Sequence, residues 1–343
     1  MQDKIGIAMS GGVDSTACAL LLQKEHQVHG FFMHLAQPDF DLQRQRVQSI
    51  ADKCDISLQI IDLRNQFEEK VLRYFSSSYR TGSTPNPCMI CNPEIKFGPF
   101  MDAIFEKGMS CVATGHYANI VENNGCRFLH QGKDTRKDQS YFLARLSQEQ
   151  LARVRFPLGN MTKNEVYEFV EAHGFTDFRG RESQDICFLH NETVGQFLKR
   201  RGKKPETGGE IVTSQGEIFG THSGIYNYTI GQRKGLGISA AAPLYVIHLD
   251  AANNRVIVGA DDELFSNSIE IKNILWNCGK KASPDSSYRV RIRYGHHGGK
   301  ATIEHLADNR CRIIFTEAQR AVTPGQFAVI YDRDRIIGSG EIV

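Results

Sequence analysis

The sequence predicts an α/β protein in which a parallel-sheet domain is followed by a small central β-rich domain and a C-terminal β-barrel. Two observations support this prediction. Up to about residue 200, apolar strand-like runs alternate with helical patterns, an order typical of a parallel sheet with helices on both faces. Beyond that point the chain changes to short β-like runs with frequent glycine, which indicate small β domains or a barrel. We therefore predict domains at residues 1–200, 201–263 and 264–343.

The elements follow in order from the apolar runs. In the first domain, strands are predicted at residues 4–9, 26–34, 57–63 and 110–118, and helices at residues 13–25, 42–55 and 99–108. This order places the first strand–helix junction at the C-terminal edge of the sheet, where such folds bind ligands. After a basic stretch with Gly and Pro, β-like runs occur at residues 209–220, 244–250, 254–259, 288–295, 300–306, 311–317, 327–332 and 335–343.

Composition limits the class of protein. Of the 343 residues, 41% are hydrophobic and 23% are charged, which is ordinary for a globular protein. No run of about 18 apolar residues predicts a transmembrane helix, and no secretory signal pattern is visible, so we expect a cytoplasmic protein without a membrane partner. A net charge of +2 neither requires nor excludes a nucleic-acid partner, because a local basic face decides that question.

A glycine-rich turn after the first strand predicts a phosphate site. The turn SGGVDS leads into a helix, so backbone N–H groups and the helix N-terminus favour an anion there. Asp14 is expected to hold Mg²⁺, which bridges phosphate oxygens. The alternative is a simple turn capped by Asp or Ser, and the Walker and GxGxxG patterns are both missing. The nucleotide contacts predicted in this segment are Ala8, Met9, Ser10, Gly11, Gly12, Val13, Asp14 and Ser15.

Two further segments are expected at the same edge of the sheet. Met33, at the end of the second strand, packs either on adenine or in the core. Gly115, at the end of a later strand, allows close backbone approach to a ligand. His116 follows it, as a polar contact or as a satisfied loop histidine.

Nine cysteines in a chain of this length do not indicate a disulfide framework. Cys88 and Cys91 form a CxxC within TPNPCMICNPEIKF, and Cys187 follows roughly a hundred residues later in SQDICF. From the residues alone, the CxxC is a redox pair, half of a zinc site, part of an iron–sulfur site, or none of these. Six others have no partner at ligand spacing and are expected to be structural: Cys18, Cys54, Cys111, Cys126, Cys278 and Cys311.

The motifs taken together resemble one family. SGGVDS is similar to the loop of the N-type ATP pyrophosphatases, which split ATP between the α and β phosphates. In addition, PNPxxxCN, EIKF, ATGHYA, KDQSYFL, FPLG, SQDICF, YTIGQRKGLG and AVTPGQFAVIYD occur in the order seen in tRNA-specific 2-thiouridylases. Those enzymes install sulfur at carbon 2 of the wobble uridine in certain tRNAs. The resemblance implies that the first domain is an ATP pyrophosphatase (adenine nucleotide alpha hydrolase-like) domain and that the barrel binds tRNA.

The resemblance also implies a reaction in two steps that uses ATP and Mg²⁺. ATP adenylylates the C2 oxygen of the uridine, and a persulfide sulfur then attacks C2 as AMP departs. In the family pattern, Cys187 carries the persulfide, and Cys91 helps to release the sulfur by forming a disulfide with Cys187. The expected sulfur donor is a persulfide carrier protein or hydrosulfide.

Cys88 departs from the family pattern. The best-known members carry aspartate at this position, in an Asn-Pro-Asp run that touches the target base. The departure opens a second route, in which Cys88, Cys91 and Cys187 hold a [4Fe–4S] cluster whose open iron delivers hydrosulfide. A zinc site is a weaker alternative, because it needs a fourth ligand such as His190.

The resemblance assigns the nucleic-acid contacts as well. The target uridine has to leave the anticodon stack to reach ATP. Near that base the family pattern gives Asn86, Pro87, Cys88 and His116. Elsewhere on the tRNA it gives Lys137, Asp138, Gln139, Arg293, Tyr294 and Gln326.

Two other functions remain open from the sequence. One is a nucleotide-binding module with a zinc or redox CxxC and no transferase activity, which would form no AMP with tRNA, ATP and a sulfur donor. The other is a pyrophosphatase-fold ligase or amidotransferase that uses ammonia. The second has little use for Cys187, and no glutaminase signature such as an N-terminal cysteine is present.

Overall fold

A computed structural model describes residues 3–35, 37–180, 186–189, 192–201 and 208–343. The strands, in chain order, are β1 (Lys4–Ala8), β2 (Gln27–His34), β3 (Leu58–Asp62), β4 (Cys111–Ala113), β5 (Ala118–Asn123), β6 (Cys126–Gln131), β7 (Val154–Arg155), β8 (Gly209–Thr213), β9 (Ile218–His222), β10 (Tyr245–Asp250), β11 (Arg255–Gly259), β12 (Phe265–Trp276), β13 (Tyr288–Arg291), β14 (Gly299–His305), β15 (Cys311–Arg320), β16 (Phe327–Asp332) and β17 (Arg335–Ile342).

The helices lie mainly in the first two hundred residues. They are α1 (Val13–Leu22), α2 (Phe40–Lys53), α3 (Arg64–Phe67), α4 (Arg73–Arg80), α5 (Pro87–Cys91), α6 (Pro99–Glu106), α7 (Ser140–Leu143), α8 (Gln148–Ala152), α9 (Lys163–Ala172) and α10 (Val194–Arg200). Two π-helical turns interrupt them, at Glu68–Leu72 and Asn92–Lys96. No helix among the described residues combines the length and the apolar character needed to span a bilayer.

The first domain is built on the predicted parallel sheet. Its strand order is β3-β2-β1-β4-β7, and all its pairings are parallel. Ile5, Ile7 and Phe31 are fully buried in this sheet, as expected when both faces are covered. The chain builds outward from β1 through β2 to β3, and then returns to the other side of β1 with β4. The crevice between β1 and β4 is therefore the topological switch point, where open α/β sheets bind ligands.

The two β domains are confirmed as well. A small sheet with the order β10-β11-β8-β9 encloses a core that includes Ile211, Val246 and Val256. The C-terminal strands form an antiparallel barrel with the order β12-β15-β14-β13-β16-β17, which closes because β12 also pairs with β17. Closure leaves these six strands without a free edge.

One hairpin was not predicted and links the first domain to the barrel. Strands β5 and β6 pair with each other, and β6 continues the barrel sheet through β17, with Arg335 opposite His130. Cys126 of this hairpin is bonded to Cys278, which follows β12. Both cysteines were expected to be structural, but this bond between them was not predicted. The two positions are 152 residues apart, and local spacing carries no sign of such a contact.

Candidate functional site

The turn after β1 has the geometry of an anion site. Gly11 has φ +78°, a conformation that side chains rarely adopt, and Gly12 caps the N-terminus of α1. Ser15 Oγ donates to the Gly12 carbonyl at 3.0 Å and accepts from the Ser10 N–H at 3.2 Å. These bonds fix the turn before any ligand arrives. The free N–H groups of the first helical turn, with the helix dipole, then favour phosphate.

Gly115 approaches the phosphate turn rather than an open cavity. A Cβ placed on it would lie 2.7 Å from Cβ of Asp14 and 2.8 Å from the Asp14 carbonyl carbon. Contacts below about 3 Å would force the backbone apart, so only glycine fits. The segment Thr114–His116 is thereby held directly against the phosphate turn.

Asp14 is engaged by two side chains that the sequence analysis missed. Lys163 Nζ donates to its two carboxylate oxygens at 2.8 and 2.9 Å, and the Tyr117 hydroxyl donates at 2.7 Å. Lys163 begins α9, where Thr162 and Glu165 form a capping box. An aspartate engaged in this way does not fit the role of a free Mg²⁺ ligand. The TKNE capping signal predicts the helix start, but nothing local predicts the pairing with Asp14.

The two methionines near this edge differ in exposure. Met9 is 2% exposed, and its N–H donates to the Phe31 carbonyl at 2.8 Å. It therefore belongs to the core. Met33 is half-buried at the end of β2, the edge at which adenine was expected.

The loop before α5 leads to the first two candidate cysteines. Asn86 caps α5 and the buried Pro87 is its first residue, a favourable place because proline lacks the N–H that would be unpaired there. Cys88 is exposed on α5, whereas Cys91, its last residue, is half-buried. Cys187 is exposed in the short described segment 186–189.

The three thiols share one electrostatic environment. Burial of the sulfur is the main reason that the pKa of Cys91 is raised to about 12, and the Cys187 and Cys88 thiolates contribute smaller rises to the same value. Desolvation also raises the pKa of Cys187 to about 11 and raises the pKa of Cys88, although both residues are exposed as a whole. In every case Lys96 acts in the opposite direction and lowers the thiol pKa. Lys96 belongs to the EIKF motif, but its role was missed by sequence reasoning.

The geometry does not assemble a metal site from these thiols. Within the part of the chain that the structure describes, no three His, Cys, Asp or Glu side chains are close enough to hold a metal ion. The residues as placed therefore do not fit the cluster expected on Cys88, Cys91 and Cys187. His190, the fourth ligand considered for zinc, lies outside the described residues.

His116 links the phosphate turn to the thiols. Its Nε2 lies 3.3 Å from Lys96 Nζ, and its Nδ1 lies 2.6 Å from Thr114 Oγ1. Burial first, and then Lys96, hold the pKa of His116 well below its usual value, so the ring is neutral. A neutral ring that accepts from Lys96 at Nε2 donates from Nδ1 to the threonine. His116 thus supports Lys96 without neutralising its charge.

The predicted tRNA residues of the first domain occupy different environments. Asp138 is 2% exposed and accepts from Arg291 of the barrel at 3.0 Å and from the Ser140 N–H at 3.1 Å. Its oxygens join the first domain to the barrel, and its expected contact with tRNA stays a prediction. Gln139 accepts from the Tyr117 N–H at 3.0 Å, and Lys137 is half-buried.

The predicted tRNA residues of the barrel lie at or near its junction with the first domain. Tyr294 is 37% exposed and stacks on Phe142 with ring centroids 4.4 Å apart, leaving aromatic surface for a base. Arg293 is half-buried and donates to the Arg320 carbonyl at 3.2 Å. Gln326 donates to the Thr84 carbonyl at 2.8 Å, just before the loop that carries Asn86.

Comparisons with known proteins cover almost the whole chain. Residues 3–191 match the family model of the tRNA methyl transferase HUP domain, residues 195–260 that of the tRNA methyl transferase PRC-barrel domain, and residues 266–342 that of the aminomethyltransferase β-barrel domain. The chain is 53% identical over 338 residues to the tRNA-specific 2-thiouridylase MnmA of Desulfotalea psychrophila, with 98% of each chain covered.

More distant relatives match over the same length. The MnmA of Syntrophotalea carbinolica is 41% identical over 343 residues, which cover 98% of this chain and 97% of the relative. A Clostridium botulinum protein named MnmA 2 is 36% identical over 344 residues, with 98% of each chain covered.

Proposed function

Because the chain belongs to the family of tRNA-specific 2-thiouridylases, we propose that it is a tRNA-uridine 2-sulfurtransferase acting on the wobble uridine. The observation that carries the proposal is a series of contacts that joins the phosphate turn after β1 to the three candidate cysteines. Gly115 contacts Asp14 of the turn, and the neighbouring His116 holds Lys96, which acts on the thiols of all three candidate cysteines. Phosphate chemistry and sulfur chemistry therefore belong to one site.

The first step uses the phosphate turn. ATP binds with its phosphates on the N-terminus of α1, and Lys163 supplies positive charge beside them. The uridine C2 oxygen attacks the α-phosphorus and diphosphate leaves, so the oxygen becomes part of an AMP leaving group. No step is assigned to Mg²⁺, because Lys163 and Tyr117 already engage the carboxylate of Asp14.

The second step uses the cysteines. Cys187, which is exposed, receives a persulfide from a donor, a persulfide carrier protein or hydrosulfide with an oxidant. The terminal sulfur bonds to C2 while the C2–O bond breaks and AMP departs. The Cys91 thiol then loses its proton to solvent, and its sulfur attacks the Cys187 sulfur and breaks the S–S bond to the transferred sulfur. This leaves 2-thiouridine and a Cys91–Cys187 disulfide, which a thiol reductant returns to the starting state.

A surface for tRNA lies close to Cys91, because the neighbouring Asn92 donates to the Phe142 carbonyl at 2.8 Å. The stacked pair Tyr294 and Phe142 offers a platform for a base of the anticodon loop. Arg293 precedes Tyr294 in the chain, and Lys137 is close enough to Tyr294 to lower its pKa, so both can contact phosphate near the platform. We place the reaction in the cytoplasm, where tRNA is modified.

The test is a reconstituted assay with tRNA, ATP and a sulfur donor. Cys91→Ser and Cys187→Ser should each abolish 2-thiouridine, while diphosphate release from the adenylylation step continues. Cys54→Ala, a buried cysteine of another element, is the matched control and should remain active. Absence of both AMP and 2-thiouridine in the wild type would favour a nucleotide-binding module without transferase activity.

A second measurement separates the two sulfur routes. Anaerobically purified protein should be analysed for iron and sulfide, and Cys88→Asp should be assayed beside it. The persulfide relay predicts an iron-free active enzyme that tolerates aspartate at this position. Stoichiometric iron and sulfide, lost together with activity in Cys88→Asp, would replace the relay by a cluster on the three thiols.

A further inference from the structure

The segment that leads into the cysteine helix is held by both β domains. Gly82 has φ +72°, and a Cβ added to it would lie 2.8 Å from the carbonyl oxygen of Leu249 in the central domain. Two residues later, the Thr84 N–H donates to the Pro324 carbonyl of the barrel at 2.9 Å. The chain therefore enters the site between two domains rather than through open solvent.

Gln326 completes the contact on the barrel side. Its Nε2 donates to the Thr84 carbonyl at 2.8 Å, so both backbone groups of Thr84 are bonded to the same barrel turn. The Tyr74 hydroxyl lies 3.5 Å from the Gly325 carbonyl of that turn. A Cβ on Gly325 would lie only 3.1 Å from the Thr84 oxygen, which shows how closely the two backbones approach.

The barrel turn is itself fixed by the last strand. The Gly325 N–H donates to the Ile342 carbonyl at 3.0 Å, and the Ile342 N–H donates to the Gln326 carbonyl at 2.8 Å. Gln326 thus projects from a backbone anchored in the closed barrel. Its amide forms a rigid connection between the barrel wall and the segment before α5.

The segment has little freedom to absorb a displacement of Thr84. Pro85 and Pro87 are both buried, and each restricts its own φ and the residue before it. Asn86 lies between them and caps α5. A shift at Thr84 therefore changes the direction of α5, and with it the positions of the two cysteines on that helix.

We propose that Gln326 is a positioning residue for sulfur transfer, which holds α5 and its cysteines in place through the Thr84 carbonyl. The inference rests on the proposed function, because it concerns the same cysteines. It gives the barrel a second role beside tRNA binding: sulfur chemistry requires the barrel turn to be docked on the catalytic segment. A misplacement of about 1 Å can cost on the order of a hundredfold in rate, so the effect is measurable.

The test compares Gln326→Glu with Gln326→Leu and with the control Gln215→Glu, an exposed glutamine of the central domain. A carboxylate cannot donate to the Thr84 carbonyl and repels it, whereas leucine only removes the bond. We expect a single-turnover rate of 2-thiouridine formation reduced by at least tenfold in Gln326→Glu and less in Gln326→Leu. With saturating tRNA, the rate of diphosphate release in a single turnover should stay within about twofold of the wild type, because the adenylylation step does not involve these cysteines.

Hydrogen–deuterium exchange of peptides covering residues 83–91 provides a readout independent of catalysis. Faster exchange there in Gln326→Glu, with exchange of the barrel strands unchanged, supports the positioning role. A raised tRNA Kd with an unchanged single-turnover rate and unchanged exchange overturns it, leaving Gln326 as a tRNA contact only. If the wild type forms no 2-thiouridine, the proposed function fails, but the exchange measurement still decides the role of Gln326.

Discussion

Lys163 Nζ donates to both carboxylate oxygens of Asp14, at 2.8 and 2.9 Å, and its side chain is only 10% exposed. The pair couples the first turn of α1 to the first turn of α9. An ammonium group held this way beside a phosphate turn can offset charge that develops on the departing diphosphate. In the proposed reaction, Asp14 therefore contributes by fixing the position of Lys163.

Replacement of Lys163 should stop ATP activation. We expect Lys163→Met to lower the rate of tRNA-dependent AMP formation by on the order of a hundredfold, because one preorganised charge is lost from the transition state. Asp14→Asn keeps a hydrogen-bond acceptor and should lose less. Lys281→Met, an exposed lysine of the barrel, is the control. Rescue of Asp14→Asn by added Mg²⁺ would instead argue that Asp14 is a metal ligand.

The sequence predicts the local parts of this site and misses the long-range ones. Ser10, Gly11 and Ser15 lie within six consecutive residues, so their arrangement follows from the strand–turn–helix pattern alone. Lys163 lies 149 residues from Asp14 and could not be paired with it from spacing. Only the fold, which brings α9 against α1, makes that contact.

Contacts between residues far apart in the chain also limit what the sequence predicts about the tRNA-binding residues. Asp138 was assigned to tRNA by motif, yet its partner Arg291 is 153 residues away, and the pair is buried at the junction of two domains. Motif resemblance identifies which residues matter, but burial decides whether they contact a ligand or another domain. Conversely, the overall fold was predictable, because alternating β and α runs and closely spaced short strands each have few ways to pack.

Lys96 should set the reactivity of the cysteines. Since Lys96 lowers the pKa of Cys91, Lys96→Met should raise that pKa and reduce the thiolate fraction at any pH below it. We expect slower alkylation of Cys91 by iodoacetamide, about tenfold for each unit of pKa change, and a rate–pH curve displaced to higher pH.

The control variants test whether the positive charge of Lys96, rather than the shape of its side chain, controls the alkylation rate. Lys96→Arg retains the positive charge, so its rate–pH curve should remain near that of the wild type. Lys107→Met removes an exposed lysine after α6 and is the control, whose curve should also match the wild type. Peptide mass mapping identifies which cysteine reacts. Identical curves for Lys96→Met and the wild type would remove Lys96 from thiol activation.

The pair Asp138–Arg291 should stabilise the domain junction. Removal of one partner leaves the other buried and unpaired, which typically costs about 3–5 kcal/mol, so Asp138→Ala should lower the midpoint of urea unfolding. Trp276, the single tryptophan of the chain, lies in β12 and reports on the barrel. The double variant Asp138→Leu with Arg291→Met should recover part of the loss, since no charge remains buried. A double variant that is less stable than Asp138→Ala would contradict this account.

The Cys126–Cys278 bond should be detectable by counting thiols. Denatured protein that was never exposed to reductant should react at seven cysteines, those that are free in the structure, and at all nine after reduction. A cross-link over a loop this long typically adds about 2–4 kcal/mol, so Cys126→Ser should unfold at lower urea concentration than the oxidised wild type. The difference should vanish in reductant, where neither protein has the bond. Nine reactive thiols without reductant would mean that the hairpin β5–β6 is attached to the barrel by noncovalent contacts alone, among them the packing of Leu129 and the contact of Arg335 with the Phe128 ring.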